Sequence, residues 1–219
     1  MEKESNKNLK TLCTQIVQDF ITYSLKVDLM KQDEIEKATT LLIKSAQGAT
    51  YSKKYPDSAG AGPKGVRFGE YFRKTIDGVK SFYDPILDKD FAVRMILFHE
   101  FTHVLQLANL KKKHKGENFH AYKQSANYTM KRKHFSGLQE FTASLATQHL
   151  WEAYKNDAKP YKHGYYTEIV ATGLAFLKTT KMTERNLIRA TTFEPELLEN
   201  LDTNDFTKFL KNLDSLIPQ

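Results

Sequence analysis

Cysteine is almost absent from this chain: Cys13 is the only one in 219 residues. One thiol cannot close an internal disulfide, and a cysteine-ligated zinc finger is excluded for the same reason. Long apolar runs are missing as well. No stretch of 18 apolar residues occurs, so the sequence holds no candidate transmembrane helix. The opening residues, Met1-Glu2-Lys3-Glu4-Ser5-Asn6-Lys7, are polar and mixed in charge, and Gln18, Asp19 and Thr22 interrupt the stretch from Ile16 to Leu25. A secretory signal peptide does not look like this, and the expectation is a cytoplasmic protein, with leaderless export left open. Repeats and low-complexity tracts are lacking. The cluster Gly60-Ala61-Gly62-Pro63-Lys64-Gly65 lacks the Gly-Lys-Ser/Thr ending of a phosphate loop and is dismissed as one.

What is present suits a folded domain. Hydrophobic residues make up 40% of the chain and aromatic residues 12%, enough for a core and against disorder. The length predicts a single domain over 1–219, with N-terminal helices in 1–47, a sheet and a central helix in 66–110, and a helical C-terminal lobe in 135–219. Charge is unevenly spread. Residues 111–134 hold eight lysines and arginines against one acid, Glu117, and this segment alone matches the net charge of +7 of the whole chain. Phe119, Tyr122 and Tyr128 are interleaved with the bases. Such a segment either keeps the protein soluble as a solvated loop or meets an anionic partner: nucleic acid, anionic lipid or an acidic protein.

Periodicity gives the elements. Leu9, Leu12, Ile16, Phe20, Ile21 and Leu25 recur at helical spacing and predict a helix over 8–30. Asp33 reads as the N-cap of a second helix, from Glu34 to about Ser45. Residues 48–65 read as loop. The best strands are 66–72 and 79–83, with Asp77-Gly78 as the turn of a small antiparallel sheet. Asp88 or Asp90 is placed to cap the helix that follows. Further helices are expected over 138–154 and 166–177, and two or three short ones over 184–217. The fold class is α+β, mostly helical.

The most specific feature is His99-Glu100-Phe101-Thr102-His103, an HExxH motif. A chain of this composition contains about 0.01 such matches by chance. On a helix, residues four apart lie about 40° apart around the axis and about 6 Å apart along it. His99 and His103 therefore point the same way and can grip one metal ion, with Glu100 beside them as the base for a metal-activated water. The flanking runs, Phe91 to Phe98 and Val104 to Leu107, predict a buried helix. Burying two imidazoles and a carboxylate without partners costs several kcal/mol, and a metal ion removes that cost. The expected cofactor is Zn2+.

A catalytic zinc takes three protein ligands and leaves one position open. Glu140-Phe141-Thr142-Ala143-Ser144 resembles the second-helix motif of the gluzincin metallopeptidases, which makes Glu140 the third ligand; Ser144 stands where that group often has an acid. His114-Lys115-Gly116-Glu117-Asn118-Phe119 is similar instead to the downstream motif of SprT-like metallopeptidases, with Lys115 inserted between the histidine and the glycine. That likeness makes His114 the third ligand and implies a DNA-associated protease. His120 and His134 are further candidates for the same role. A ligand on a rigid apolar helix keeps its geometry better than one in a lysine-rich segment, which favours Glu140.

The resemblance implies a zincin fold and a zinc-dependent endopeptidase, with Glu100 as general base and later proton donor to the leaving amine. In zinc peptidases an edge strand pairs with the extended substrate, and 79–83 is the expected edge. Tyr128, His163, Tyr165 and Tyr166 are the candidates to stabilise the oxyanion. Two readings of other classes stay open. One is a non-catalytic nucleic-acid-binding protein using 111–134. The other is a structural metal site closed by His149 or His114.

Overall fold

A computed structural model describes residues 2–52, 59–62, 64–76, 89–131, 134–155 and 166–217. It is mostly helical with one small sheet, as the periodicity predicts. Its contacts divide it into two compact units, Met1–Leu105 and Gln106–Gln219. The division falls inside one continuous helix. No helix among the described residues is long and apolar enough to cross a membrane.

The first unit opens with α1, Glu2–Lys26. Its buried face is Leu9, Cys13, Ile16, Val17, Phe20 and Ser24, while Leu12 and Leu25 are only half-buried. The helix ends at Asp28, whose φ of 59° lies in the left-handed region. Leu29 N–H returns to Ser24 O at 2.9 Å and Asp28 N–H to Leu25 O at 3.2 Å, the paired bonds of a Schellman ending. α2 spans Ile35–Gln47 and buries Ala38, Leu42 and Ala46. Asp33 does not cap it. Residues 32–34 form a 3-10 turn, in which the Glu34 carboxylate accepts Lys31 N–H at 2.7 Å.

Among the described residues, the sheet joins 65–69 to segments read as loop. It has three strands, β1 (Thr50–Ser52), β2 (Ala59–Gly62) and β3 (Gly65–Gly69), in the order β1-β3-β2. β3 runs parallel to β1, with Tyr51 opposite Phe68, and antiparallel to β2, with Ala61 opposite Val66. The sheet is therefore mixed, and part of the expected loop 48–65 is strand. Glycine hides this from a propensity reading, yet packing requires it. Gly48, just after α2, and Gly65, at the start of β3, cross backbone to backbone; Gly65 has φ 129°, and a Cβ on Gly48 would meet the Lys64 carbonyl while one on Gly65 would meet the Gly48 backbone. The strand expected over 66–72 stops at Gly69. Residues 70–76 are helical (α3, Glu70–Ile76), and Phe72 turns back to stack on Phe68 with ring centroids 4.2 Å apart. The expected strand 79–83 and the Asp77-Gly78 turn lie outside the described residues.

α4, Lys89–Asn109, is the central helix. Asp90 lies inside its first turn rather than at its cap, and Asp88 is outside the described residues. Phe98 and Phe101 pack edge-on against Phe20 of α1, at 5.9 and 5.8 Å between centroids. Arg94 pairs with Asp19 across the same contact.

The second unit takes the last turn of α4 and adds α5 (Glu117–Lys131), α6 (Gly137–Lys155), α7 (Thr167–Lys178), α8 (Glu184–Thr192) and α9 (Thr203–Ser215). α6 runs through its middle, buried on every side from Gly137 to Thr147. Phe141 faces Phe209 of α9 at 6.3 Å, and Phe209 stacks on Phe176 of α7 at 3.9 Å. α5 was not expected: much of the basic segment read as loop is helix, with Phe119, Tyr122, Ala126 and Thr129 buried at helical spacing.

Candidate metal centre

Three of the four expected site residues supply ligand atoms that come together. His99, His103 and Glu140 each offer one such atom, all within 4.8 Å of one another, and among the described residues this is the group able to hold a metal ion. The two histidines follow from helix geometry alone. Their Nε2 atoms are 3.0 Å apart and their rings meet at 86°. Two nitrogens bound tetrahedrally at about 2.0–2.1 Å stand about 3.3 Å apart, so small rotations suffice to admit a zinc ion. His103 is 1% exposed, Glu140 6% and Glu100 5%. His99 is half-buried.

Glu140 needs more than its own helix. It lies in the first turn of α6, where the helix dipole favours a carboxylate. That turn is held by three devices. Ser136 and Gln139 form a capping box, with Ser136 N–H donating to Gln139 Oε1 at 3.0 Å and Gln139 N–H to Ser136 Oγ at 3.4 Å. Asp214 of α9 accepts Gly137 N–H at 2.8 Å and the Ser125 hydroxyl at 2.7 Å. A side chain at Gly137 would collide with the Leu213 backbone, so glycine lets α9 approach. Finally Gln106, one turn beyond His103, donates from Nε2 to Gln139 O at 3.1 Å and to Thr142 Oγ1 at 2.8 Å. Thr191 of α8 joins the same hydroxyl at 3.1 Å. This buried network sets the register of α6 against the last turn of α4. The Ser-x-x-Gln pattern at 136–139 is visible in the sequence; the role of Gln106 is not.

Among the described residues, the remaining candidates do not join this group. His114 Nε2 is 3.7 Å from Glu199 Oε1, and its ring packs edge-on to Phe119. Glu199 also accepts Asn118 N–H at 3.2 Å and Phe119 N–H at 2.9 Å, so it caps α5. His120 is exposed and bonds Gln124; His134 is exposed after α5. His149 faces Glu184 at 3.0 Å. Tyr128 is exposed on α5 and Tyr166 stands at the N-cap of α7; His163 and Tyr165 lie outside the described residues. Ser144 is buried in α6.

Two ionisable groups away from the centre are strongly perturbed. Burial pushes the Cys13 thiol up to about 12. Burial likewise raises the Tyr122 phenol well above its ordinary range, and its hydroxyl has no hydrogen-bond partner among the described residues.

Comparison with family models, curated proteins and solved structures finds no match to the chain.

Proposed function

We propose that this chain is a zinc-dependent endopeptidase of the gluzincin kind, with His99, His103 and Glu140 as metal ligands and Glu100 as general base. The observation that carries the reading is the meeting of two imidazoles and one carboxylate within 4.8 Å, on two helices that are mostly buried. The donor set suits the metal. Two histidines and one glutamate are a ligand set of catalytic zinc in peptidases, and three ligands leave a position open. A bound zinc ion supplies Lewis acidity, polarising a carbonyl and making water acidic enough to attack near neutral pH.

The rest of the chemistry belongs to the chain. His99 and His103 are two nitrogen donors set side by side by one helical turn. Glu140 brings one negative charge, and the first turn of α6 supports it. Glu100 follows the first ligand directly and is nearly excluded from solvent. Its carboxylate takes the proton of the attacking water and returns it to the leaving amine. Little bulk water competes at such a site, so each charge counts for more than it would at the surface. In this reading His114 is not a ligand, because it lies beside Glu199 and Phe119 and is not part of the group formed by His99, His103 and Glu140.

The test is elemental analysis joined to cleavage of an unfolded protein substrate. Wild type prepared without chelators should carry one zinc per chain and cleave; Glu100→Gln should keep the zinc and lose at least 100-fold in rate. Glu140→Ala should lose the metal, and His114→Ala should keep it. Wild type without stoichiometric zinc would sink the reading.

A further inference from the structure

The lysines around the start of α5 line a groove of about 580 Å³ that the metal chemistry does not use. Lys111, Lys113 and Lys115 are exposed ahead of the helix, and Lys123 rises from its second turn into the same groove. None of these four pairs with a carboxylate among the described residues. The acid that this region does engage, Glu199, is turned to His114 and to the backbone of Asn118 and Phe119. Four ammonium groups on one surface repel one another, and a polyanion lifts that repulsion.

The neighbouring side chains narrow the kind of polyanion. Gln124 and Asn127 present amides to the groove, and Gln124 Nε2 is positioned 2.8 Å from His120 Nε2. Tyr128 follows Gln124 by four residues, so it lies on the same face of α5, and it is 57% exposed. A membrane surface calls for leucine, phenylalanine or tryptophan beside the lysines. An acidic polypeptide satisfies the lysines and leaves the amides and the aromatic ring without a role. Bases offer both hydrogen-bonding edges and a π-face, while the phosphates answer the lysines. The groove is within the roughly 300–1,000 Å³ typical of ligand sites, enough to grip a short stretch of one strand.

We propose that the groove binds single-stranded nucleic acid, with lysines on phosphates, the Gln124 and Asn127 amides on base edges and Tyr128 stacked on a base.

The test uses the full chain and labelled 20-mers of oligo-dT and oligo-U, followed by fluorescence anisotropy across a salt series. Four phosphate contacts predict a log–log salt slope of about −3. Lys113→Gln/Lys115→Gln/Lys123→Gln should weaken binding about tenfold or more and reduce the slope by about 2. Tyr128→Ala should weaken binding about fivefold or more with the slope unchanged, since stacking releases no counterions. Lys37→Gln/Lys178→Gln/Lys208→Gln, exposed lysines elsewhere with the same change in net charge, should bind as wild type. A stronger response to DNA or to RNA identifies the natural strand. The proposal is overturned if the control triple loses as much as the groove triple, if Tyr128→Ala binds like wild type, or if polyglutamate or anionic vesicles compete as well as the oligonucleotide. Chelation should not alter binding, which keeps this result separate from the metal reading.

Discussion

Two parts of this protein use the same residue types to opposite ends. On α4, two histidines and the Glu140 carboxylate from α6 meet in a nearly dry setting. Where the chain leads into α5, His114 and His120 stand among lysines, and the carboxylate beside them, Glu199, caps a helix. Burial separates the two. His120 is open to water, and the His114 ring lies beside Glu199 and Phe119. In the interior, the two rings and the carboxylate lie close enough together for one divalent cation to bind all three. What sets the candidate centre apart from the other histidines is burial together with a carboxylate from a second helix.

The largest effect should come from exchanging the two sets of residues in a zinc-binding assay. His103→Ala and Glu140→Ala should each weaken zinc binding at least 100-fold, measured by competition with a chromogenic chelator. His114→Ala and Glu199→Ala should change it less than twofold. Zinc loss in the second pair alone would reverse the comparison.

A sharper test targets the support rather than the ligands. Gln106→Ala removes the amide that ties the last turn of α4 to Gln139 and Thr142. Groups that hold ligands in place affect metal affinity by about 10–100-fold, so a loss of about tenfold in zinc affinity is expected. The exposed buried acceptors should also cost about 1–3 kcal/mol in chemical denaturation. Gln106→Glu, isosteric but without the donor, should not rescue either property.

On the α5 side, Glu199→Ala should cost about 1–2 kcal/mol, because two backbone N–H groups of the first turn lose their acceptor. Zinc content should stay unchanged. A helix cap and a metal ligand are thereby told apart by one pair of measurements.

The smallest effect concerns Tyr122, beneath the exposed face of α5. Its folded-state pKa is raised, so the phenol's contribution to stability is fully present below pH of about 10 and declines as pH rises above that. The unfolded state ionises first and binds fewer protons, which makes the slope of stability against pH negative. Cys13 acts in the same sense from about pH 9 up to about 12. Tyr122→Phe should flatten the alkaline limb and, by removing a buried hydroxyl with no partner among the described residues, raise stability by about 1 kcal/mol. A steeper alkaline limb in the variant would contradict this account.

Most helices were legible from residue spacing, because a helix is a local object. α6, α7 and the pieces beyond Glu184 fall where apolar period and charge put them. The misses have physical reasons. Lysines masked α5, whose apolar stripe of Phe119, Tyr122 and Ala126 is set among solvated charges. Small residues masked β2, Ala59–Gly62, which carries little strand propensity of its own and forms by pairing with β3. Phe72 reads as strand by propensity, but it lies in α3, where its ring stacks on Phe68 of β3.

The candidate centre divides along the same line. That His99 and His103 share a side of one helix is decided by the 3.6-residue repeat, so four letters of spacing are enough to see it. That Glu140 joins them is not written in any spacing, for it lies 37 residues beyond His103. In the fold, the first turn of α6 that carries it is capped and tied to the last turn of α4 by the Gln106 amide. Local hydrogen bonds made the first pair visible in the chain itself; packing and a buried polar network, which exist only once the chain is folded, supplied the third member.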